Sequence, residues 1–300
     1  MNYLEQIKNN PNENLKIIKM INKFSKENEK FPQKGEKVAL LLSGGLDSIA
    51  VWYLLMKKHQ LEVFPIVINK KTIFKSELRS INYYSKKFEK IFEKLHHRPF
   101  FIDDPRKSQI KINKKYLSKR NFKKNKDEFI IDFISDEKNV NEIFAQTTNF
   151  IIHAQNYLNY LEAQKGIKIN TIFTGNLTRD GETIKHQSIT SLKITELLIS
   201  HLSNNEKFQV YPYFIYKKNI GKKGIIKFLK KEGLNLEKSW SCYRDLPVPC
   251  GSCSSCRARR WYFQEAKIKE NRFYLTDINT KKEEIIRKGK NGIKKILYKK

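Results

Sequence analysis

Apolar residues along the chain follow two rhythms. Short, nearly unbroken apolar runs at 37–42, 62–68, 99–103 and 168–174 are bounded by turn residues and read as strands. Between and after them, residues 49–58, 76–95, 144–164, 190–202 and 217–232 read as helices, and Gly233 is placed to stop the last of these. The helix at 49–58 is apolar on most faces, as an element buried on all sides would be. Helices alternating with buried strands predict an α/β fold with a parallel sheet covered by helices on both faces.

At the N-terminus, Leu15, Ile17, Ile18, Ile21 and Phe24 recur at helical spacing ahead of the turn signals Pro32 and Gly35, so residues 1–36 read as a helical extension. The main domain is expected over 37–235, a cysteine-bearing region over 236–264 and a basic, uninformative tail over 265–300. No apolar run approaches the roughly 20 residues of a membrane-spanning helix, and the polar N-terminus lacks the apolar core of a secretory signal. The expectation is a soluble cytoplasmic protein without membrane contact.

Charge adds one candidate partner. Sixty Lys and Arg against 31 Asp and Glu leave a formal charge of +29, which favours polyanions through counterion release. The lysines are spread along the whole chain among Ile and Asn, however, as a biased genome composition would spread them, and net charge informs on association more than on specific function. The densest run, residues 111–126, carries Tyr116 and Phe122 and could track a nucleic-acid backbone. It reads rather as a solvated insertion at about 105–126.

The first run ends in Leu42-Ser43-Gly44-Gly45-Leu46-Asp47-Ser48. Two glycines where a strand must turn sharply into a helix let backbone N–H groups approach an anion, and the helix dipole favours negative charge there. Ser43 and Ser48 offer hydroxyl donors to phosphate oxygens, and Asp47 suits Mg²⁺ or the helix start. The string is not the lysine-bearing loop of P-loop NTPases. Gly175 ends the fourth predicted strand, and ligands in such sheets bind at those ends.

All four cysteines, Cys242, Cys250, Cys253 and Cys256, lie in one short block. CxxCxxC with a fourth thiol nearby allows four thiolates to converge on one zinc ion at about 2.3 Å, with Gly251 easing the turn. Disulfides and an iron–sulfur cluster are the competing readings. Arg257, Arg259 and Arg260 stand close enough to offset thiolate charge.

Ser43–Ser48 as SGGLDS, with Ser239-Trp240-Ser241-Cys242-Tyr243 and the CGSCSSCRAR string from Cys250, resembles the 7-cyano-7-deazaguanine synthases, the QueC family within the PP-loop ATP pyrophosphatases. The resemblance spans about residues 37–262 and includes Thr174-Gly175, Asp180, Pro212 and Lys218. It implies an adenine nucleotide alpha hydrolase-like, Rossmann-like fold with a small C-terminal zinc-binding region. It further implies ATP on Leu42, Ser43, Gly44, Gly45, Leu46, Asp47, Ser48 and Gly175, Mg²⁺, structural zinc on the four cysteines, and Asp47 and Lys218 as catalytic groups. The implied chemistry is adenylation of 7-carboxy-7-deazaguanine followed by amide and then nitrile formation with ammonia. Relatives that thiolate tRNA need a cysteine near the nucleotide, and none exists here outside the metal block.

The implied substrate wall departs from the family. Gln146-Thr147-Thr148-Asn149 stands in place of Pro-Gly-Arg-Asn, and Lys185-His186-Gln187 in place of Asp-Cys-Arg. Neither Thr148 nor Gln187 can reproduce the bidentate grip of an Arg. Thr148, Asn149, Asp180, Lys185 and Gln187 are therefore the expected substrate residues of a diverged pocket. The expectation is an ATP-dependent C–N ligase that passes a deazaguanine-like carboxylate to an amine, as relatives in antiphage defence pass it to a protein. An authentic ammonia-using synthase of queuosine biosynthesis, and a non-catalytic nucleic-acid-binding protein on the same fold, are the alternatives. A homodimer is expected. His96 and His97 are expected at the surface, and His153 in the core.

Overall fold

The computed structural model describes residues 30–69, 75–103, 146–216, 220–244 and 246–277. The expected helix at 15–24, the basic insertion at 105–126 and Lys218 lie outside these residues.

Five strands, β1 (Lys37–Leu41), β2 (Glu62–Asn69), β3 (Phe100–Asp103), β4 (Thr171–Thr174) and β5 (Gln209–Pro212), form one parallel sheet in the order β3-β2-β1-β4-β5. Ala39 on the central strand sits opposite Phe64 on one side and Ile172 on the other. The strand order reverses at β1, which leaves a crevice between the C-terminal ends of β1 and β4.

Two apolar cores follow from the two-residue alternation of side chains along each strand. Val38, Leu40, Val63, Val67, Phe173 and Tyr211 point to one face, beneath α1 (Leu46–Lys57) and α2 (Lys75–Ile91). Ala39, Phe64, Ile66, Ile172 and Val210 point to the other, beneath α3 (Gln146–Lys165). The short α4 (Thr178–Thr183) and a 3-10 turn at Lys185–Gln187 lead into α5 (Ile189–Leu202), which joins α3 on that second face. There the buried Glu196 carboxylate accepts the Val210 N–H at 2.7 Å and the Lys193 ammonium at 3.0 Å, tying α5 to β5.

The remaining elements are α6 (Tyr213–Tyr216), α7 (Lys222–Lys231), a 3-10 turn at Leu236–Lys238 and α8 (Ser254–Glu265). The helix expected at 49–58, apolar on most faces, is α1, in which ten of twelve residues are buried, but it begins three residues earlier, at Leu46. Leu46, Asp47 and Ser48 thus form the first helical turn rather than a free loop. The helix expected from 217 begins only at Lys222, because Gly221 takes an extended conformation as its N-cap. Gly233, at φ 69°, follows its end.

The expected places of three histidines are corrected. His96 is buried, its Nε2 3.1 Å from Ser85 Oγ and its ring stacked on Trp52, so burial lowers its pKa. His97 is only partly exposed: it pairs with Glu62 at 2.6 Å and stacks on Phe64. His153 is half-buried on α3 rather than a core residue.

Candidate functional site

β1 delivers the chain at the switch point, and the Leu42 N–H still bonds the Ile66 carbonyl at 2.9 Å before the turn begins. Gly44 carries a φ of 76°, and a Cβ there would stand 3.1 Å from the Glu77 carbonyl oxygen and 3.2 Å from Ile81 Cγ1, so only glycine fits. Its carbonyl oxygen accepts two bonds, from Ser80 Oγ at 2.7 Å and from the Trp240 N–H at 3.0 Å. Helix α2 and the segment before the cysteines thereby clamp the turn from two sides.

Gly45 is the N-cap of α1 and provides no side-chain cap. The first N–H groups of a helix have no intrahelical partner, so this terminus offers donors to an anion at the positive end of a dipole. The Ser43 and Ser48 hydroxyls are engaged within the turn, 3.1 Å from each other, and Ser48 Oγ lies 3.2 Å from the Gly45 carbonyl oxygen. Gly175, just past β4, packs directly on the same helical turn: a Cβ there would lie 3.0 Å from Ser48 N and 3.2 Å from Ser48 Cα.

Three charged groups gather at this turn. Lys222 Nζ, at the start of α7, stands 3.2 Å from Asp47 Oδ2, while Asp47 Oδ1 is buried without a hydrogen-bond partner. The Asp47 carboxylate holds the Lys222 pKa above its ordinary value against the opposing effect of burial, with Asp180 adding to the rise. Asp180 accepts the Leu177 N–H at 2.9 Å; burial raises its pKa, and the Lys222 charge partly offsets that rise.

Nothing local in the sequence distinguishes Lys222. Lys217, Lys218, Lys222, Lys223 and Lys227 crowd that stretch, and nothing in their spacing marks one of them. Only the packing of α7 against α1 brings Lys222 to Asp47.

A second group of the expected residues meets at the N-terminal ends of α3 and α5. Because these helices run antiparallel to the strands, the ends lie at the same edge of the sheet as the glycine turn. Thr147 Oγ1 is 2.9 Å from His186 Nδ1, and Thr148 Oγ1 is 2.9 Å from Thr195 Oγ1, which donates to the Ser191 carbonyl at 2.8 Å. Lys185 and Gln187 shape the 3-10 turn through their backbone, the Lys185 carbonyl accepting from Ser191 Oγ at 2.7 Å. Asn149 is half-buried in the first turn of α3. Burial lowers the His186 pKa, and its buried Nε2 has no partner. Thr148 and Gln187, where the family resemblance implied guanidinium groups, are neutral, and Lys185 stands exposed on the same 3-10 turn.

The four cysteine sulfurs lie within 4.8 Å of one another, and all four thiols are free. One ion held tetrahedrally at about 2.3 Å by four sulfurs places neighbouring sulfurs about 3.8 Å apart, which this spread accommodates. Cys250 and Cys256 sulfurs are 3.9 Å apart. Backbone N–H groups of Arg244, Cys250, Cys253 and Cys256 point at sulfurs at 3.3–3.4 Å, an arrangement suited to thiolate charge.

The arginines expected to offset that charge have other partners. Arg259 is buried and bonds Glu270 at 2.6 Å, Ser239 Oγ at 2.9 Å and the Leu236 carbonyl at 2.8 Å. Arg260 pairs with Asp277, and Arg257 donates to the Ser252 carbonyl at 2.7 Å. The stretch beyond 265 is more than a tail: Tyr274 is buried among the cysteines, and the Leu275 and Thr276 N–H groups bond the Pro249 and Cys250 carbonyls at 3.0 and 3.3 Å.

Fold and site together define a doubly wound α/β protein with a tight glycine turn at its switch point and a four-cysteine knuckle clamped to that turn. Residues 37–267 match the family model described as queuosine biosynthesis protein QueC, and the chain belongs to that family. A 7-cyano-7-deazaguanine synthase of Methanococcus maripaludis strain C5 is 28% identical over 247 residues, spanning 80% of this chain and 100% of the relative. One from Prochlorococcus marinus strain AS9601 is 26% identical over 237 residues, 77% of this chain and 95% of its own. Among solved structures, the U34-tRNA thiolase NcsA from Methanococcus maripaludis with its 4Fe-4S cluster aligns at a TM-score of 0.40 and 16% identity, covering 79% of this chain and 75% of that one. Among the described residues no helix is long and apolar enough to cross a membrane.

Proposed function

We propose that this protein is an ATP-dependent ligase that adenylates a carboxylate, 7-carboxy-7-deazaguanine or a near relative, and transfers the acyl group to an amine. The observation that carries this reading is the uncapped glycine turn with Asp47, Lys222 and Asp180 gathered beside it. In the first step a carboxylate oxygen attacks the α-phosphorus of ATP, the bond to the β-phosphate oxygen breaks, and pyrophosphate leaves. In the second the amine attacks the acyl carbon, AMP departs with the former carboxylate oxygen, and the nitrogen loses a proton.

The backbone N–H groups at the start of α1 bind phosphate, and Lys222 faces the charge that develops on the leaving group. Lys218, named from the resemblance, shares that assignment only as an expectation. Asp47 Oδ1, buried and unpartnered, suits Mg²⁺, which would neutralise charge on the departing pyrophosphate. Cys242, Cys250, Cys253 and Cys256 fit a single zinc ion, which supplies rigidity to the knuckle. The replacement of the family's guanidinium groups by Thr148 and Gln187 supports an acceptor other than ammonia, and we assign it to the amine of a protein partner, as in antiphage defence.

Incubation with ATP, Mg²⁺ and 7-carboxy-7-deazaguanine should yield pyrophosphate and AMP; if neither forms, this substrate is wrong. The relatives' activity supports a second reading, an authentic nitrile-forming synthase, for which mass spectrometry would show 7-cyano-7-deazaguanine accumulating with ammonia.

Gly175→Ala tests the cradle. The added methyl would press on the Ser48 backbone, an overpacking cost of about 1–3 kcal/mol. A lower unfolding temperature and a smaller stabilising shift on adding ATP are expected; an unchanged ATP shift would mean that the turn tolerates displacement.

A further inference from the structure

The charges at the glycine turn do not balance for a polyphosphate ligand. Two carboxylates, Asp47 and Asp180, face one ammonium, Lys222, and the field of both Asp47 and Lys222 reaches Asp180. With all three ionised this cluster is net negative, so pyrophosphate leaving across it requires further positive charge. A divalent cation on Asp47 meets part of that requirement, but it travels with the phosphates and does not by itself favour the separated product.

Arg179 immediately precedes Asp180 on α4 and is exposed. Its Nη1 donates to Tyr262 Oη over a long 3.4 Å, and the Tyr262 ring carries Lys222 Nζ 5.7 Å from its centroid. The guanidinium therefore rests one aromatic ring away from the ammonium that faces Asp47. A long bond from a guanidinium to a neutral phenol is a weak tether, and a phosphate offers it short, charge-assisted, bidentate bonds instead.

We propose that Arg179 is a pyrophosphate-binding residue, parked on Tyr262 and moving onto the β- and γ-phosphates as the bond to the α-phosphorus breaks. The electron pair of that bond leaves on the β-phosphate oxygen, so negative charge grows where the guanidinium arrives. Binding of this kind is stronger for the leaving group than for intact ATP. Tyr262, on α8, holds Arg179 back from the phosphates in the resting state. The inference rests on the nucleotide reading proposed above.

The test uses the full chain and inorganic pyrophosphate with Mg²⁺ as probe, titrated calorimetrically beside ATP. Arg179→Ala is expected to weaken pyrophosphate binding about tenfold or more, the scale of a lost charge-assisted pair, while ATP binding changes less. Arg179→Lys should recover part of the loss, and Tyr262→Phe, which removes the tether and keeps the ring, should bind pyrophosphate at least as tightly as the unaltered protein. Equal pyrophosphate affinity in Arg179→Ala overturns the assignment, as does a loss in Tyr262→Phe matching that of Arg179→Ala, which would mark the contact as structural. If the unaltered protein binds neither ATP nor pyrophosphate, the nucleotide reading falls and this inference with it; if it binds both, only the role of Arg179 is in question.

Discussion

Asp47→Ala is expected to reduce ATP–pyrophosphate exchange by about 10²–10³-fold, the range seen when one preorganised electrostatic group is removed from a reacting centre, while the protein stays folded. The side chain sits in the first turn of α1, with one oxygen on Lys222 and the other buried without a partner. Removing it withdraws the proposed cation ligand and releases Lys222 to face the phosphates directly. Ground-state binding of ATP should therefore persist, and the loss should appear in kcat rather than KM. Exchange near the unaltered rate would exclude Asp47 from the chemistry.

Cys256→Ala is expected to have the largest effect on stability. Structural zinc sites contribute on the order of 10 kcal/mol to the small domains that depend on them, and Cys256 is a fully buried member of its cluster. Metal content measured on the purified variant should fall and the unfolding temperature should drop. The effect should also reach the glycine turn, because the Trp240 N–H holds the Gly44 carbonyl while the Trp240 indole bonds the Cys242 carbonyl at 2.9 Å. Weakened ATP binding should accompany metal loss, and chelation of the unaltered protein should reproduce both. A variant that keeps its metal content and unfolding temperature would show the knuckle to be dispensable.

The sequence makes legible what is local in the chain. The strand, glycine turn and buried helix from β1 to α1 were legible because an apolar run, two glycines and a helix apolar on most faces follow one another directly. Strand β5 was missed, since four residues ending in Tyr211 and Pro212 make too short a run to stand out, and burial of Val210 beneath α5 is what makes it a strand. Helix α8 was missed because its sequence is rich in Ser and Arg; its start is set by Cys253, whose sulfur caps the Cys256 N–H at 3.4 Å. Within the site, Asp47, Asp180 and Gly175 could be named from the chain and Trp240 stands in a string that carries the resemblance, but the contact of Trp240 with Gly44, like the placing of Lys222 and Tyr262, depends on long-range packing. His96 was misplaced for the same reason: its partners Trp52 and Ser85 come from other elements.

The order of the strands also bears on how the molecule assembles. Strands β1, β2 and β3 and the helices between them come from contiguous chain and can pair early. The fourth strand pairs with β1 from far along the chain, and such distant pairings pay loop-closure entropy before contacts reward it. Gly175 arrives only with that strand, and Trp240 later still. A nascent or half-assembled chain therefore displays the glycine turn without its walls, and a ligand that needs those walls recognises only the completed molecule, shifting the folding equilibrium toward it by mass action.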